Sequence, residues 1–265
     1  MSTALFRKMY RDHWKSLISW GLVIVFMVTI ELMVYPSIVK SGEAAKTFID
    51  SYPDAFKKMF RMEDYTSGAG FLNTELFSMM IPLVMLGVGV TWGASAIAEE
   101  EESGTADLLF VLPVRRRTVL LSRMAATTVA LALLAVVTFV NIVLLRGHFG
   151  LEVNTQNLAW ACLTHLFLGT TFSGIGFLLA ALTGRKGLSL GVASGLGIIS
   201  FLFFSLAPLV SNFEYTNAIN PFQWAIAHNT LNEGLNLLGV VRLIVTSLVF
   251  FFSSLMIFER REIHS

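Results

Sequence analysis

Six apolar stretches dominate the chain, at residues 17–35, 76–98, 125–145, 158–182, 188–210 and about 237–258. The segments between them hold nearly all of the charge. A helix needs ~20 apolar residues to cross a hydrocarbon core ~30 Å thick, and each stretch has about that length. None shows the alternation of apolar and polar residues over ~10 positions that marks a membrane β-strand. The pattern predicts an all-α integral membrane fold of six transmembrane helices, forming a single domain over residues 1–265. An even number of spans puts both termini on the same side.

Between the second and third spans stands EEEESGTADLLFVLPVRRRT, residues 99–118. Four carboxylates follow directly on a helix, where the negative end of its dipole disfavours them. Ser103 or Thr105 can cap a new helix and Asp107 suits its first turn. Leu108, Leu109 and Leu112 then share a face, Pro113 stops the helix, and Arg115, Arg116 and Arg117 mark the return to the headgroups. This predicts a short helix within 99–117 whose apolar face has nothing in the membrane domain to cover it. It reads as a docking surface for a soluble partner; a helix lying flat on the membrane is the alternative.

At the N-terminus, residues 1–16 separate cleanly on a helical wheel. Leu5, Phe6, Met9, Tyr10, His13, Trp14 and Leu17 occupy one half, and Arg7, Lys8, Arg11, Asp12 and Lys15 the other. That is an amphipathic interfacial helix with its basic face toward anionic headgroups. The apolar run after it is too long for the core of a typical signal peptide and lacks a small-residue cleavage site, so it is read as an uncleaved span.

The connections 36–75 and 211–236 are long and polar. Residues 44–62 suggest one or two short amphipathic helices, with turn signals at Ser51-Tyr52-Pro53 and Thr66-Ser67-Gly68. Within 211–236, Asn220 suits an N-cap, Pro221 a first helical turn and Gly234 a stop, which predicts a short interfacial helix. Within the spans, Gly187, Gly191 and Gly195 recur every four residues, as do Gly89 and Gly93. Such stripes let another helix approach closely, in the same subunit or in a second one. Pro82 removes a backbone donor from the second span and suggests a kink.

Charge sets the orientation. Residues 1–16, 99–124, 183–187 and 259–265 hold 12 of the 19 Lys and Arg in 54 positions; the opposite connections hold six in 78. The richer side is expected to be cytoplasmic, giving a multi-pass protein of the cell (inner) membrane with both termini in the cytoplasm. Composition agrees with that placement. The chain is 55% hydrophobic and 14% charged, against about 25% charged in a soluble domain. A net charge of +1 leaves no basic field for nucleic acid. The single cysteine, Cys162, forms no internal disulfide, and no metal-type spacing exists. Two charges lie inside spans, Glu31 and Arg242. They form a candidate pair near the outer interface, with separate snorkelling as the alternative. His165 and Asn141 are read as helix–helix hydrogen-bonding residues rather than substrate ligands.

The order E-E-x-x-S-G-T-A-D-L-L-x-x-x-P-V-x-R between the second and third of six spans resembles the type-2 ABC transporter permeases. These carry an E-x-x-x-G-T-x-x-x-L-L-x-x-P-like segment there. The N-terminal amphipathic helix is similar to that family's connecting helix, and I-N-P-F-Q-W before the last span to its N/S-P-aromatic stretch. The resemblance implies the membrane half of an ABC exporter. Two six-span subunits, identical or different, would bind two copies of a separate ABC ATPase subunit that carries ATP and magnesium. By position, Glu99, Glu100, Gly104, Thr105, Leu108, Leu109 and Pro113 would form the element that couples to the ATPase. The chain has no G-x-x-x-x-G-K-[ST] loop, so no nucleotide cofactor is expected on it. The reading is thus a transport subunit rather than an enzyme.

Two rival readings stay open. One is an ATP-independent secondary transporter or channel, although the spans lack midplane charges and visible inverted repeats. The other is an intramembrane enzyme. Thr171-Phe172-Ser173-Gly174 is similar to the G-x-S-G of rhomboid proteases, but the first Gly is missing and no histidine lies in the last span to act as base. The resemblance favours export, and apolar, aromatic-rich spans suit an amphipathic or hydrophobic cargo such as a drug or an antimicrobial or toxin peptide. No substrate-binding residue is assigned.

Overall fold

The computed structural model describes residues 3–102 and 116–260. In chain order the helices are α1 (Thr3–Asp50), α2 (Asp54–Phe60), α3 (Gly68–Leu72), α4 (Ile81–Glu102), α5 (Arg116–Arg146), α6 (Thr155–Thr183), α7 (Lys186–Leu206), α8 (Pro221–Ile226), α9 (Thr230–Glu233) and α10 (Leu237–Arg260). Among the described residues, six helices are long and apolar enough to span a bilayer: Phe6–Ala44, Gly68–Ala96, Arg116–Arg146, Thr155–Thr183, Lys186–Leu206 and Leu237–Arg260. These are the six spans expected from the apolar pattern. The end of the bundle expected to face the cytosol is called the inner end below, and the other the outer end.

α4 and α6 form the centre. They pack on each other more extensively than any other pair, and both are largely buried. Glycine makes this possible. A Cβ added to Gly89 would lie 2.4 Å from the Gly169 carbonyl oxygen, and one on Gly93 2.4 Å from that of Ser173. The stripe in α4 is therefore used inside the subunit. Around this pair stand α1, α5, α7 and α10, each with a third or less of its apolar window buried. Leu144 and Phe26 are 73% and 66% exposed on these outer helices. Side chains of that kind in such a position fit a hydrocarbon solvent.

Hydroxyl groups join α6 to α10. Thr171 Oγ1 donates to the Leu243 carbonyl (3.2 Å) and lies 2.9 Å from Ser247 Oγ, with Thr170 Oγ1 at 3.3 Å from the same atom. Ser173, read above beside a protease motif, donates instead to the Thr170 carbonyl one turn back (2.8 Å). Asn141 Nδ2 donates to the Val25 carbonyl (3.2 Å), tying α5 to α1.

The second span is longer than its apolar stretch indicates, and irregular. Ser67 caps α3 by accepting from the Gly70 N–H. Residues Asn73–Met80 then form a π-helical stretch that runs directly into α4. Pro82 explains the arrangement. In this register the Ile81 N–H bonds to the Leu76 carbonyl. That leaves the Phe77 carbonyl facing position 82, five residues on, where proline has no N–H. His165 of α6 meets the orphan: its Nε2 lies 2.9 Å from the Phe77 oxygen, and its Nδ1 2.7 Å from that of Ala161. Proline, π-helix and buried histidine thus solve one backbone problem together, in line with the helix–helix role expected of His165.

α1 also exceeds expectation. It continues through Pro36 to Asp50, broken only at Gly42, whose φ of 43° and ψ of −113° suit a residue without a Cβ. Residues 43–50 and α2 are the short helices expected in the first outer connection, joined at the Ser51–Pro53 turn. In the second outer connection Asn220 caps α8 by accepting from the Phe222 N–H, with Pro221 in the first turn. The single short helix expected there is two, α8 and α9. The reason is that two carbonyls needed for propagation are taken: Ala227 accepts from Arg61 Nη1 (3.1 Å) and His228 from the Thr230 N–H (2.8 Å). Gly234 ends α9 with a φ of 85°.

Candidate functional site

Two regions carry the residues singled out by the sequence. At the inner end, α4 runs without a break to Glu102, so Glu99 and Glu100 occupy its last turns. Gly104, Thr105, Leu108, Leu109 and Pro113 lie outside the described residues. α5 starts at Arg116, three residues past Pro113. What the structure describes is the frame that holds this segment. Trp92 of α4 is fully buried two turns before Glu99. The rings of Tyr10 and His13 pack against it, with centroids 5.8 and 5.1 Å away. Tyr10 also donates its hydroxyl to the Ala126 carbonyl of α5 (2.9 Å).

The N-terminal amphipathic segment thus continues the first span without a break. At Met9, Tyr10 and His13 its apolar half covers protein rather than lipid, while Trp14 is half exposed. Arg123, counted above among the charges of the inner connection, is buried on α5, one turn past Val119. Nothing in the hydropathy pattern distinguishes it from its exposed neighbour Arg117. Only the small residues around it, Ala126 and Thr127, hinted that this part of α5 faces the bundle.

At the outer end, Glu31 is half-buried on α1 and close enough to Glu75 for their charges to interact. Glu75 accepts from the Tyr65 hydroxyl (2.5 Å). Burial first, and then this hydrogen bond, raise the Tyr65 hydroxyl far above its ordinary range, so it stays a donor at physiological pH. Arg242 is exposed on α10, its guanidinium 6.0 Å from the Trp224 ring of α8. Among the described residues no ion pair within the subunit joins Glu31 to Arg242; each faces a different partner. Tyr65 escaped the sequence reading because a ring in a polar connection has no periodic signal; Trp224 closes the I-N-P-F-Q-W stretch, but its contact with Arg242 has no local signal either.

Latches hold the outer connections to the bundle. Thr74 Oγ1 donates to the Arg61 carbonyl (2.8 Å) and Asn157 Nδ2 to that of Leu231 (3.0 Å). The Arg61 guanidinium sits 5.1 Å from the Phe204 ring. Arg61 itself adopts a left-handed conformation (φ 55°) that ends α2. Below it Phe222 is fully buried, with the rings of Phe172 and Phe201 at 5.2 and 5.3 Å.

The second glycine stripe behaves differently from the first. Added Cβ atoms at Gly187, Gly191 and Gly195 of α7 would meet nothing within 4 Å. Gly187 and Gly191 are exposed and Gly195 half-exposed. Among the described residues, therefore, nothing in the subunit packs closely on this stripe.

A family model described as ABC-2 family transporter protein matches residues 3–263. A probable ABC transporter permease protein NosY of Pseudomonas aeruginosa is 31% identical over 149 residues, covering 51% of this chain and 50% of that protein. The chain thus aligns with about half the length of this curated relative. With six helices of membrane-spanning length and a family match over nearly all of its residues, the chain belongs to the ABC-2 transporter family, as a multi-pass membrane permease of an ABC transporter.

Proposed function

We propose that this permease is the membrane half of an ATP-driven exporter. Two copies, or one copy and a related subunit, work with two separate ATPase subunits to move an amphipathic or hydrophobic substrate out of the cytoplasm or inner leaflet. Both termini and residues 99–117 face the cytosol, and ATP and magnesium act on the ATPases. Glu99, Glu100, Gly104, Thr105, Leu108, Leu109 and Pro113 form the coupling element. The permease family supports the ATPase partnership. The contact of Tyr10 and His13 with Trp92 carries the mechanical part. It ties the N-terminal helix to α4 two turns before the coupling segment begins. A push on residues 99–117 is then shared by α4, the N-terminal helix and, through the Ala126 carbonyl, α5. Because α4 packs on α6 through backbone-close glycine contacts, the push reaches the centre of the bundle as a rigid displacement.

Co-purification with an ABC ATPase, expected to be encoded beside the gene, tests this. Leu108→Asp and Leu109→Asp place a charge on the docking face, and each is expected to abolish ATPase association while leaving membrane insertion intact. Neutralising Arg115, Arg116 and Arg117 together is expected to impair anchoring more than docking. Normal complex yield from both leucine variants would remove the coupling role of the segment.

A further inference from the structure

α5 and α10 both pack on α6 but touch each other only lightly, and a groove of about 470 Å³ opens between them. Leu121, Met124 and Thr128 line one wall, and Leu248, Phe252 and Leu255 the other. The walls are matched in depth. Leu121 and Thr128 lie five and twelve residues from Arg116 at the start of α5; Leu255 and Leu248 lie five and twelve residues from Arg260 at the end of α10. At 1.5 Å per residue the groove runs from roughly 8 to roughly 18 Å inside the inner end of both helices. That is the depth of acyl chains in the adjoining leaflet. The lining is almost wholly apolar, since the Thr128 hydroxyl already donates to the Met124 carbonyl (3.0 Å).

A charge of each sign stands at the mouth. Helical spacing puts Arg117 on the groove face of α5, four and seven residues before Leu121 and Met124. By the same spacing Glu259 is on the groove face of α10, four and seven residues after Leu255 and Phe252. Both are exposed, and among the described residues neither forms an ion pair or hydrogen bond. We propose that this groove is a binding site for an aminophospholipid of the inner leaflet: an acyl chain lies between α5 and α10, the phosphate meets Arg117, and the ammonium group donates to Glu259. A phosphatidylcholine headgroup has no N–H to donate, and phosphatidylglycerol has no cation, so Glu259 selects phosphatidylethanolamine against both. The site is independent of the proposed transport cycle.

Native mass spectrometry of the purified full-length chain, exposed to phosphatidylethanolamine, phosphatidylglycerol and phosphatidylcholine with identical acyl chains, tests the assignment. One phosphatidylethanolamine is expected to be retained several-fold better than either of the others. Glu259→Gln is expected to reduce its retention to the phosphatidylcholine level. A Phe252→Trp variant supplies a second reading that needs no loss of binding: taken as the difference from the unaltered chain, which already has five tryptophans, its added fluorescence is expected to be quenched by phosphatidylethanolamine brominated on the acyl chain, and less by the brominated glycerol lipid. Equal retention of all three lipids, preference for phosphatidylglycerol, or unchanged selectivity in Glu259→Gln would each overturn the proposal. So would an added fluorescence in Phe252→Trp that the brominated ethanolamine lipid quenches no more than the brominated glycerol lipid.

Discussion

His165 illustrates how one residue's chemistry follows from a neighbour's missing hydrogen. Pro82 lacks an N–H, the π-helical register aims the Phe77 carbonyl at it, and the imidazole of α6 fills the gap at 2.9 Å. Both ring nitrogens face carbonyl oxygens. A neutral ring carries a single N–H and serves one of them at a time. His165→Leu leaves both without the ring as donor in a buried, membrane-depth site. The expected loss is about 1–3 kcal/mol of stability, the usual cost of stranding a buried polar group. Thermal unfolding in detergent reads it, and His165→Gln, whose amide can donate to Phe77, should recover part of the loss. The sequence identified His165 as a hydrogen-bonding residue between helices, because a lone polar group in an apolar span needs a partner. Its partner was not legible, since a π-helix has no hydropathy signature.

Among elements, the pairing of α4 with α6 shows what periodicity conveys and what it omits. Gly89 and Gly93 stand out as a close-approach stripe, as do Gly187, Gly191 and Gly195. The same spacing serves opposite ends: the first stripe is closed onto backbone within the subunit, the second is open. The difference lies in tertiary placement. α4 is wrapped by neighbours and α7 stands at the rim, and an apolar run looks alike in both positions because lipid and protein interior are both apolar. The six spans and the Asn220 cap were legible because each rests on local length or local hydrogen bonding. The split between α8 and α9 was not, because a long-range contact, Arg61 to Ala227, accompanies it; nor was the continuation of α1 to Asp50, because residues 36–50 carry no apolar run to mark it. Gly93→Ala puts a methyl group 2.4 Å from the Ser173 oxygen, which is backbone and cannot move aside. Overpacking of this kind costs about 1–3 kcal/mol. A clear drop in unfolding temperature is expected for Gly93→Ala, and none for Gly191→Ala in the isolated subunit.

For the molecule as a whole, the open stripe on α7 bears on assembly. Helices in lipid gain nothing from burying apolar surface, because the solvent they leave is equally apolar. Association must come from close packing, and close packing needs small residues that let backbones meet. Gly187, Gly191 and Gly195 supply such a surface at the rim of the bundle, where no other part of the described subunit approaches. In the proposed exporter a second permease copy would sit there, α7 against α7, putting the moving parts of both subunits across one interface. Gly191→Phe tests this without touching the core, since a Cβ at that position meets nothing within 4 Å among the described residues. Leu196→Phe is the control. It places the same ring at an exposed position of the same helix, five residues along from Gly191 and so about 140° around from it. Size-exclusion chromatography with light scattering, in mild detergent, should find dimers for the unaltered chain and Leu196→Phe, and monomers for Gly191→Phe. ATPase docking, assigned to residues 99–117 in the proposed exporter, should survive in the monomer, whereas substrate-stimulated ATP turnover should fall. A Gly191→Phe protein that stays dimeric with full turnover would place the subunit contact on another helix.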